Sequence, residues 1–388
     1  MPVGTVLPAE SRTHTDPETG VRITQLTDHK AHSHHSYFTN PTWYDEGRRL
    51  LIGSDRGNAT NLYSVDLAGH ELRQLTDLRD GASVASNLFH SVSVNPRRAE
   101  AYFWHGRELV ALDLGSLAQR VLHTTPARFG EGGTTNVTAD GEAVMISCSE
   151  DLSDRLALDL GNGYVGFREY WEARPLSQIL RVPLDGGAAQ VVHEERAWIG
   201  HVNTSPLHPH LLTFCHEGPW HLVDHRIWLL DLSTGAATRI RPTEGTEMVG
   251  HEYWLDDGES IGFHGWSGGR EQTGPFHGAV RYDGTGLWEA PLAESSMHFH
   301  SRDLDLIVGD GTRTAPRLML WQRDGDAYGP PRLLHRHRGS FHTQAVHVHP
   351  TVSPDGDQVL FTADPRGYGN VHLLDLPRDL SALPLVEP

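Results

Sequence analysis

The segment Pro354-Asp355-Gly356 is followed by the apolar run Gln358-Val359-Leu360-Phe361 and then by Leu373-Leu374-Asp375-Leu376. A turn signal between two apolar runs predicts a β-hairpin. Turn-like residues precede an apolar run at seven places, near residues 45, 95, 140, 208, 257, 303 and 355. Several of these units end in the same Asp-Leu pattern, at residues 66, 113, 231 and 375. Such repetition predicts the blades of a β-propeller.

The two ends of the chain indicate how the propeller closes. Val21–Asp28 resembles Leu72–Asp77, which is the expected outer strand of the first unit. The seventh unit has three expected strands, so residues near 21–27 are expected to supply its outer strand and cover a sheet edge. We therefore predict an all-β fold, a seven-bladed β-propeller closed by an N-terminal strand in the last blade. It is expected to form one domain over residues 1–388.

Composition limits the possible partners. The formal net charge is −18, with only 32 Lys plus Arg, which argues against broad nucleic-acid or membrane binding. Two cysteines indicate no disulfide framework and a reducing compartment. The first ten residues lack the basic start and apolar core of a signal peptide. A cytoplasmic location is the expectation, with neither nucleic acid nor membrane as a partner.

Histidines occur in phase with the repeat. They lie shortly before the turns, where the innermost strand of each blade is expected to line the central axis. They are His34, His35, His90, His201, His251, His298, His300, His347 and His349. This phase favours a metal and acid–base site on the axis, and the alternative is an axis that is merely polar and hydrated.

The last of these histidines lie close enough in sequence to other possible ligands to indicate a metal site. Gln344, His347 and His349 fall within six residues, and on a strand the two imidazoles would share one face. Neutral imidazole is the commonest protein metal ligand and suits Mn, Fe, Ni, Cu and Zn. The alternative is a polar strand in a chain that has 27 histidines.

A second group of polar residues lies between residues 214 and 254. Arg226 could bind a carboxylate, with an ion pair to Asp224 as the alternative. His216 with Glu217 could be ligands or an ordinary loop contact. Cys215 lacks a nucleophile signature and is expected to be a small buried residue.

These segments resemble the oligogalacturonate lyases, family 22 of the polysaccharide lyases, over nearly the whole chain. The resemblance is carried by Trp198–His201, the run 214–219, Leu222–Asp224 with Arg226, His251–Trp254, Val308–Gly311, Gln344–Pro350, and His34 with Tyr37-Phe38. It implies a seven-bladed propeller, which agrees with the repeat count. Residues 125–190 match poorly.

The resemblance also implies roles. A divalent cation, preferably Mn²⁺, would be held by His298, Gln344, His347 and His349, with His300 competing for the place of His298. His251 would be the proton-abstracting base, and Arg226 the catalytic arginine. Four further histidines are expected to bind the substrate: His34, His90, His201 and His216.

The implied reaction is β-elimination on an oligogalacturonate or related anionic oligosaccharide. The metal neutralises the uronate carboxylate, the base removes the C5 proton, and a 4,5-unsaturated sugar results. Three alternatives stay open: a lyase for another uronate oligosaccharide, a metal-dependent sugar hydrolase or isomerase, and a non-catalytic propeller. A hydrolase would need a carboxylate pair, for which only Glu217 and Glu252 are available.

Overall fold

The computed structural model describes residues 2–79, 91–130, 132–161 and 163–387. The chain is nearly all β, with seven sheets arranged as a seven-bladed β-propeller, so the predicted fold class and blade count are confirmed. Two compact units are distinguished. One consists of Met1–His90, Asp113–Ala118 and Leu292–Pro388, and the other of Ser91–Leu112 and Gln119–Pro291. One domain over residues 1–388 stays a prediction.

The strands follow the predicted turn-and-run pattern. The first sixteen are β1 Val6–Leu7, β2 Arg12–Thr15, β3 Arg22–Gln25, β4 Ser33–His35, β5 Trp43–Tyr44, β6 Arg49–Ser54, β7 Asn61–Asp66, β8 Leu72–Gln74, β9 Ser93–Asn95, β10 Glu100–His105, β11 Glu108–Asp113, β12 Gln119–Thr124, β13 Thr135–Val137, β14 Ala143–Ser149, β15 Leu176–Pro183 and β16 Gln190–Arg196. The others are β17 Ile199–Thr204, β18 Leu211–His216, β19 Ile227–Asp231, β20 Ala236–Arg241, β21 Met248–Trp254, β22 Ser260–Trp266, β23 Pro275–Arg281, β24 Trp288–Pro291, β25 Phe299–His300, β26 Leu306–Gly311, β27 Pro316–Asp324, β28 Ala327–Tyr328, β29 Arg332–His335, β30 Thr351–Val352, β31 Gln358–Ala363 and β32 Asn370–Asp375.

The first unit contains three sheets. Their strand orders are β1-β8-β7-β6-β4 with β5 on β6, β25-β26-β27-β28 with β29 on β27, and β2-β3-β32-β31-β30. In the last of these, β3 pairs antiparallel with β32, with Ile23 opposite Leu374. The predicted closure by an N-terminal strand is therefore confirmed, and β2 adds a further strand outside it. Ile23 and Leu374 are both fully buried, and each such side chain stabilises the sheet by about 1.5–3 kcal/mol.

The second unit contains four sheets, each a meander of four antiparallel strands. They are β9 to β12, β13 to β16, β17 to β20 and β21 to β24, in chain order across each sheet. Their middle strands are buried on both faces, as the runs Val144–Ile146 and Leu212–Cys215 show. The first strand of each sheet is an edge strand, and the histidines expected on such strands, His201 and His251, lie on β17 and β21.

One helix, α1 at Phe167–Glu172, lies in the segment between β14 and β15, where no helix was predicted. Its residue Tyr170 packs edge-on against Trp198 at 4.8 Å, beside the buried Leu152. Gly166 precedes the helix with a φ of 71°, and a Cβ there would lie 1.8 Å from the carbonyl oxygen of Ala157. Glycine is required at this approach.

Short 3₁₀ turns complete the described structure at Gly269–Glu271, Gln344–Val346 and Leu380–Ala382. Among the described residues, every helix is too short or too polar to serve as a membrane span.

Candidate functional site

Three histidines of the first unit converge on one point. Possible ligand atoms of His298, His347 and His349 all lie within 4.8 Å of one another. All three are buried, with 3%, 4% and 1% of their surface exposed. The ring centroids of His298 and His349 are 4.3 Å apart, and that of His347 lies 5.5 Å from each. Buried imidazoles grouped this closely form the kind of donor set that binds a divalent transition metal.

The backbone that brings His347 and His349 together is irregular. The 3₁₀ turn Gln344–Val346 ends as the N–H of His347 donates to the carbonyl oxygen of Gln344 at 3.1 Å. His349 has a φ of 45°, and the strand begins only at Thr351. The strand expected at His347 and His349 is therefore wrong. A left-handed conformation at a non-glycine residue costs about 1–3 kcal/mol, and such residues are concentrated at functional sites.

A buried carboxylate orients His298. The ring Nδ1–H of His298 donates to Oδ2 of Asp310 at 2.6 Å, and the backbone N–H of His298 donates to Oδ1 at 2.9 Å. Ser296 donates to the same Oδ1 at 2.9 Å. Burial would raise the pKa of Asp310, but the contacts with His298 hold it below its usual value. Histidine ligands of metals typically donate their other ring N–H to such a carboxylate, which fixes the tautomer.

His300 is directed elsewhere. Its Nδ1 accepts the backbone N–H of Val352 at 3.1 Å, and burial lowers its pKa to about 4. The structure thus brings His298, and not His300, together with His347 and His349. Gln344, the predicted fourth ligand, begins the turn that precedes His347 and is partly exposed.

Residues near the N-terminus pack against this histidine cluster. The ring of Tyr37 meets that of His349 edge-on at 4.9 Å, and Phe38 lies 6.0 Å from His298. His34, a predicted substrate-binding residue, lies 6.0 Å from His349 and is fully buried. His35 supports the same loop, with its Nε2 2.8 Å from the carbonyl oxygen of His349.

A second group of polar residues lies in the other unit, around Arg226. NH1 and NH2 of its guanidinium donate to Oε1 and Oε2 of Glu217 at 3.0 and 3.3 Å. The expected alternative, a surface pair with Asp224, is wrong, because Arg226 is only 3% exposed and its partner is Glu217. Burial alone would raise the pKa of Glu217, but the positive charge of Arg226 lowers it to about 2.

His201, Cys215 and Glu217 also form a compact group, with possible ligand atoms within 4.8 Å of one another. The guanidinium of Arg226 already provides positive charge there, since its NH2 lies 3.7 Å from Sγ of Cys215 and 3.3 Å from Glu217. Cys215 is fully buried, and burial holds the pKa of its thiol well above the usual value. The expectation of a small buried cysteine agrees with this environment.

His251 occupies a break in β21. The register of β21 against β22 shifts between Gly250 and Tyr253, and His251 has a φ of 52°. Such a β-bulge re-aims a side chain, and bulges are common beside active sites. Nδ1 of His251 lies 2.9 Å from Nε2 of His264, on the adjacent strand. Trp220 meets the His251 ring edge-on at 4.8 Å.

Trp220 also connects His251 to Arg226. The guanidinium carbon of Arg226 lies 4.8 Å from the centroid of the Trp220 ring, a cation–π contact. A Cβ at Gly250 would lie 2.8 Å from Nε of Arg226 and 2.9 Å from Trp220. Only glycine allows this close approach. The base and arginine that the resemblance implies are thus held by one aromatic side chain.

Glu252 follows His251 and is only 3% exposed. Its Oε1 is buried and has no hydrogen-bond partner among the described residues. Burial raises the pKa of Glu252 to about 7, although the charge of Arg226 acts in the opposite direction. The carboxyl is therefore largely protonated in mildly acidic solution.

This environment predicts a pH-dependent stability. Below pH 4.5 the Glu252 carboxyl is protonated in both states, and between pH 4.5 and about 7 the unfolded chain loses the proton first. Folding stability contributed by Glu252 thus falls as pH rises, by up to about 1.4 kcal/mol per pH unit. Glu252→Gln should remove this loss. In denaturant unfolding, the stability of the variant relative to the wild type should therefore increase between pH 4.5 and about 7. Glu142→Gln, at an exposed position, is the control, and parallel curves for Glu252→Gln and wild type would contradict the prediction.

The remaining predicted substrate-binding residues lie in different surroundings. Nε2 of His216 lies 2.9 Å from Oε1 of Glu195, and its ring lies 4.7 Å from that of Trp228. Nε2 of His201 lies 3.8 Å from Oε2 of Glu217. His90 lies outside the described residues. Substrate contact by these histidines stays a prediction.

The sequence did not single out Asp310 or His264, and it did not predict that Glu217 pairs with Arg226. Asp310 orients His298, Glu217 holds Arg226, and His264 contacts His251. Each partner lies on the opposite side of a hairpin from the residue that it supports. Residues at similar sequence distances before and after a turn face each other, and this spacing could have indicated the pairs.

Known proteins are similar to this chain in sequence and fold along almost its whole length. An oligogalacturonide lyase of Pectobacterium atrosepticum is 26% identical over 97% of this chain and 99% of its own length. An oligogalacturonate lyase of Dickeya dadantii is 25% identical over the same shares. The solved structure of an oligogalacturonate lyase in complex with manganese, 26% identical, superposes with a TM-score of 0.87 over 98% of this chain and all of its own.

The family model described as oligogalacturonate lyase matches residues 1–321. That match covers most of the chain and includes Arg226, His251 and His298. With full-length relatives of the same description, it establishes that this chain belongs to the oligogalacturonate lyase family.

Proposed function

We propose that this protein is a metal-dependent oligogalacturonate lyase. It cleaves short uronate oligosaccharides by β-elimination and releases products with a 4,5-unsaturated uronate end, in pectin catabolism. The observation that carries the proposal is the convergence of buried His298, His347 and His349, with Asp310 orienting the first of them. Full-length relatives of the same description support the reaction.

The donor set fits a divalent cation. Three neutral imidazoles and one amide oxygen, from His298, Gln344, His347 and His349, would hold it. Imidazole suits several first-row divalent metals, and a carbonyl oxygen suits Mn²⁺. The relative solved with manganese supports that choice. When bound, the cation supplies positive charge that neutralises the uronate carboxylate and favours the negative charge that develops on loss of the C5 proton.

His251 is proposed as the general base. As a neutral imidazole it can accept the C5 proton while the C5–H electrons form the C4–C5 double bond. The C4–O electrons leave on the departing oxygen, which takes a proton from water. The left-handed backbone at His251 supports this role, because strained conformations in a bulge commonly mark functional residues. The contacts of its ring with Trp220 and His264 hold the imidazole in one orientation.

Arg226 is proposed as the catalytic arginine. Its guanidinium is fixed by Glu217 and Trp220 before any substrate arrives, so its field is preorganised and needs no rearrangement during the reaction. Because Glu217 balances much of its charge, Arg226 is expected to assist the stabilisation of the developing negative charge rather than to dominate it. His34, His90, His201 and His216 are proposed to contact the substrate.

A hydrolase is disfavoured by the surroundings of the two carboxylates that it would need. Glu217 is committed to Arg226, and Glu252 is 3% exposed, so neither presents a carboxylate pair to a sugar in water. A lyase for another uronate oligosaccharide is favoured by one feature, the segment around α1. A Cβ added to Gly218 would lie only 2.4 Å from the side chain of Trp171 in α1. This poorly matching segment therefore packs directly beside Gly218, the residue that follows Glu217. A cytoplasmic location is part of the proposal.

The decisive experiment follows the ultraviolet absorbance of the unsaturated uronate product. Protein freed of metal with a chelator is mixed with digalacturonate or trigalacturonate, with and without added Mn²⁺. We expect a rise in absorbance only with metal, and none with methyl-esterified oligomers that lack the free carboxylate. A rise with another uronate but none with galacturonate would support the second candidate. No rise with any uronate would overturn the lyase assignment.

Replacing Asp310 should weaken metal binding without removing a ligand. Asp310→Asn can still contact Nδ1 of His298 but no longer offers it a negatively charged acceptor, and loss of such a partner typically weakens metal affinity by about 10–100-fold. Titration of the metal-free protein with Mn²⁺, followed by calorimetry, measures the change. Asp55→Asn, at another buried carboxylate that accepts from Thr60, is the matched control and should leave affinity unchanged. Equal affinities for the Asp310 variant and wild type would contradict the role of Asp310.

A further inference from the structure

We propose that His264 is the positioning residue for the base. In this assignment, which rests on the proposed function, Nε2 of His264 accepts a hydrogen bond from Nδ1–H of His251. That hydrogen bond selects the tautomer of His251 whose Nε2 takes the C5 proton of the substrate.

The contact itself is the first support. Nδ1 of His251 and Nε2 of His264 are 2.9 Å apart, and the two ring centroids are 5.1 Å apart with an interplanar angle of 37°. His264 lies on β22 opposite Gly250, so the bulge at His251 brings its ring over the next strand. The hydrogen bond is thus built into the register of the two strands, and does not depend on a mobile loop.

The surroundings of His264 make it a good acceptor. It is 1% exposed, with Trp266 edge-on at 5.1 Å and Trp220 at 5.8 Å. A hydrogen bond at such a buried position is stronger than one exposed to water. The two tryptophans fix the His264 ring, so its Nε2 stays within hydrogen-bond distance of Nδ1 of His251.

The chemistry requires such a partner. A neutral imidazole carries one proton, and only the tautomer protonated at Nδ1 can accept a proton at Nε2. Once His251 has taken the C5 proton, both of its nitrogens are protonated, and the Nδ1–H still donates to His264. In serine proteases a carboxylate holds the catalytic histidine in this way. Here a neutral imidazole would fulfil that positioning role without adding negative charge near an anionic substrate.

Two substitutions separate positioning from packing. His264→Gln places an amide oxygen near the former Nε2 and preserves an acceptor, whereas His264→Leu fills similar space without one. We expect kcat to fall by about 10²-fold in His264→Leu with KM nearly unchanged, since misplacement of a catalytic group has effects of this size. His264→Gln should retain most of the activity. The control is His372→Leu, which removes a buried histidine on β32 whose Nδ1 contacts the carbonyl oxygen of Asn370, and it should leave kcat unchanged.

A spectroscopic measurement tests the tautomer independently of turnover. In protein labelled with nitrogen-15 at histidine, NMR distinguishes protonated from unprotonated ring nitrogens, and the His251 resonances are assigned by their loss in His251→Asn. We expect Nδ1 of His251 to be protonated in the wild type and in His264→Gln. An unprotonated Nδ1 in the wild type, or full kcat in His264→Leu, would overturn the proposal. A wild type that turns over no uronate would overturn the proposed function and with it the catalytic role, whereas the NMR result would still decide the hydrogen bond.

Discussion

Replacing His251 with alanine should lower lyase turnover by about 10²–10⁴-fold, the range that general base catalysis supplies. The fold and the bound metal should be unaffected, because His251 lies at a partly exposed bulge and is not one of the residues proposed to hold the metal. Steady-state kinetics on digalacturonate, elemental analysis and circular dichroism measure these three properties. The loss should appear in kcat, since the base acts in the transition state and contributes little to substrate binding.

The backbone conformation of His251 calls for a second variant. Its φ of 52° is unfavourable for alanine, whereas asparagine tolerates the left-handed region well. His251→Asn should therefore keep the bulge and a hydrogen bond to His264, and still lack a basic nitrogen. Equal inactivity in both variants assigns the loss to the missing base. Added imidazole should restore part of the activity to His251→Ala, and wild-type turnover in either variant would rule out His251 as the base.

The sequence predicted the blades because each blade is encoded locally. An Asp-Gly or Asn-Pro turn followed by an apolar run is contained within about ten residues, as at Pro354–Phe361, where β31 was found. The N-terminal strand of the last blade could also be predicted, since Val21–Asp28 repeats the outer-strand pattern of the first unit. Its partner β32 is more than 340 residues away in sequence. The similarity of the two outer-strand segments allowed the pairing to be predicted despite that separation.

The helix α1 could not be predicted in the same way. Six residues give too short a window for helical periodicity, and its stability comes from Tyr170 and Trp198, which are distant in sequence. The conformation at His349 was missed for a related reason. Alternating histidines suggest a strand, but a left-handed residue and a 3₁₀ turn bring His347 and His349 together instead.

The partners of the site residues are set by the antiparallel register of the hairpins. His298 faces Asp310, and His251 contacts His264, at nearly equal distances from the turn of each hairpin. Once a turn is placed, the antiparallel register names the residue opposite. Sequence alone gave no reason to select these pairs among all the others, because burial and side-chain direction decide which opposite residues meet.

Replacing His347 with alanine should abolish stable metal binding. Three buried imidazoles form the cluster, and His347 is one of the two contributed by the loop before β30. Loss of a supporting partner alone weakens such sites by about 10–100-fold, so loss of a ligand should weaken them by at least that factor. Elemental analysis after dialysis should find little manganese, and turnover should recover only in part with excess Mn²⁺.

His300→Ala is the matched control for His347→Ala. It removes a buried histidine of the same unit whose Nδ1 accepts from Val352, so it should lower stability by about 1–3 kcal/mol but keep the metal. His298→Ala should behave like His347→Ala, because its ring lies within the cluster. Unchanged manganese in His347→Ala would exclude the proposed ligand set. Metal lost from His300→Ala but retained by His298→Ala would exchange the roles of those two residues and leave the rest of the centre in place.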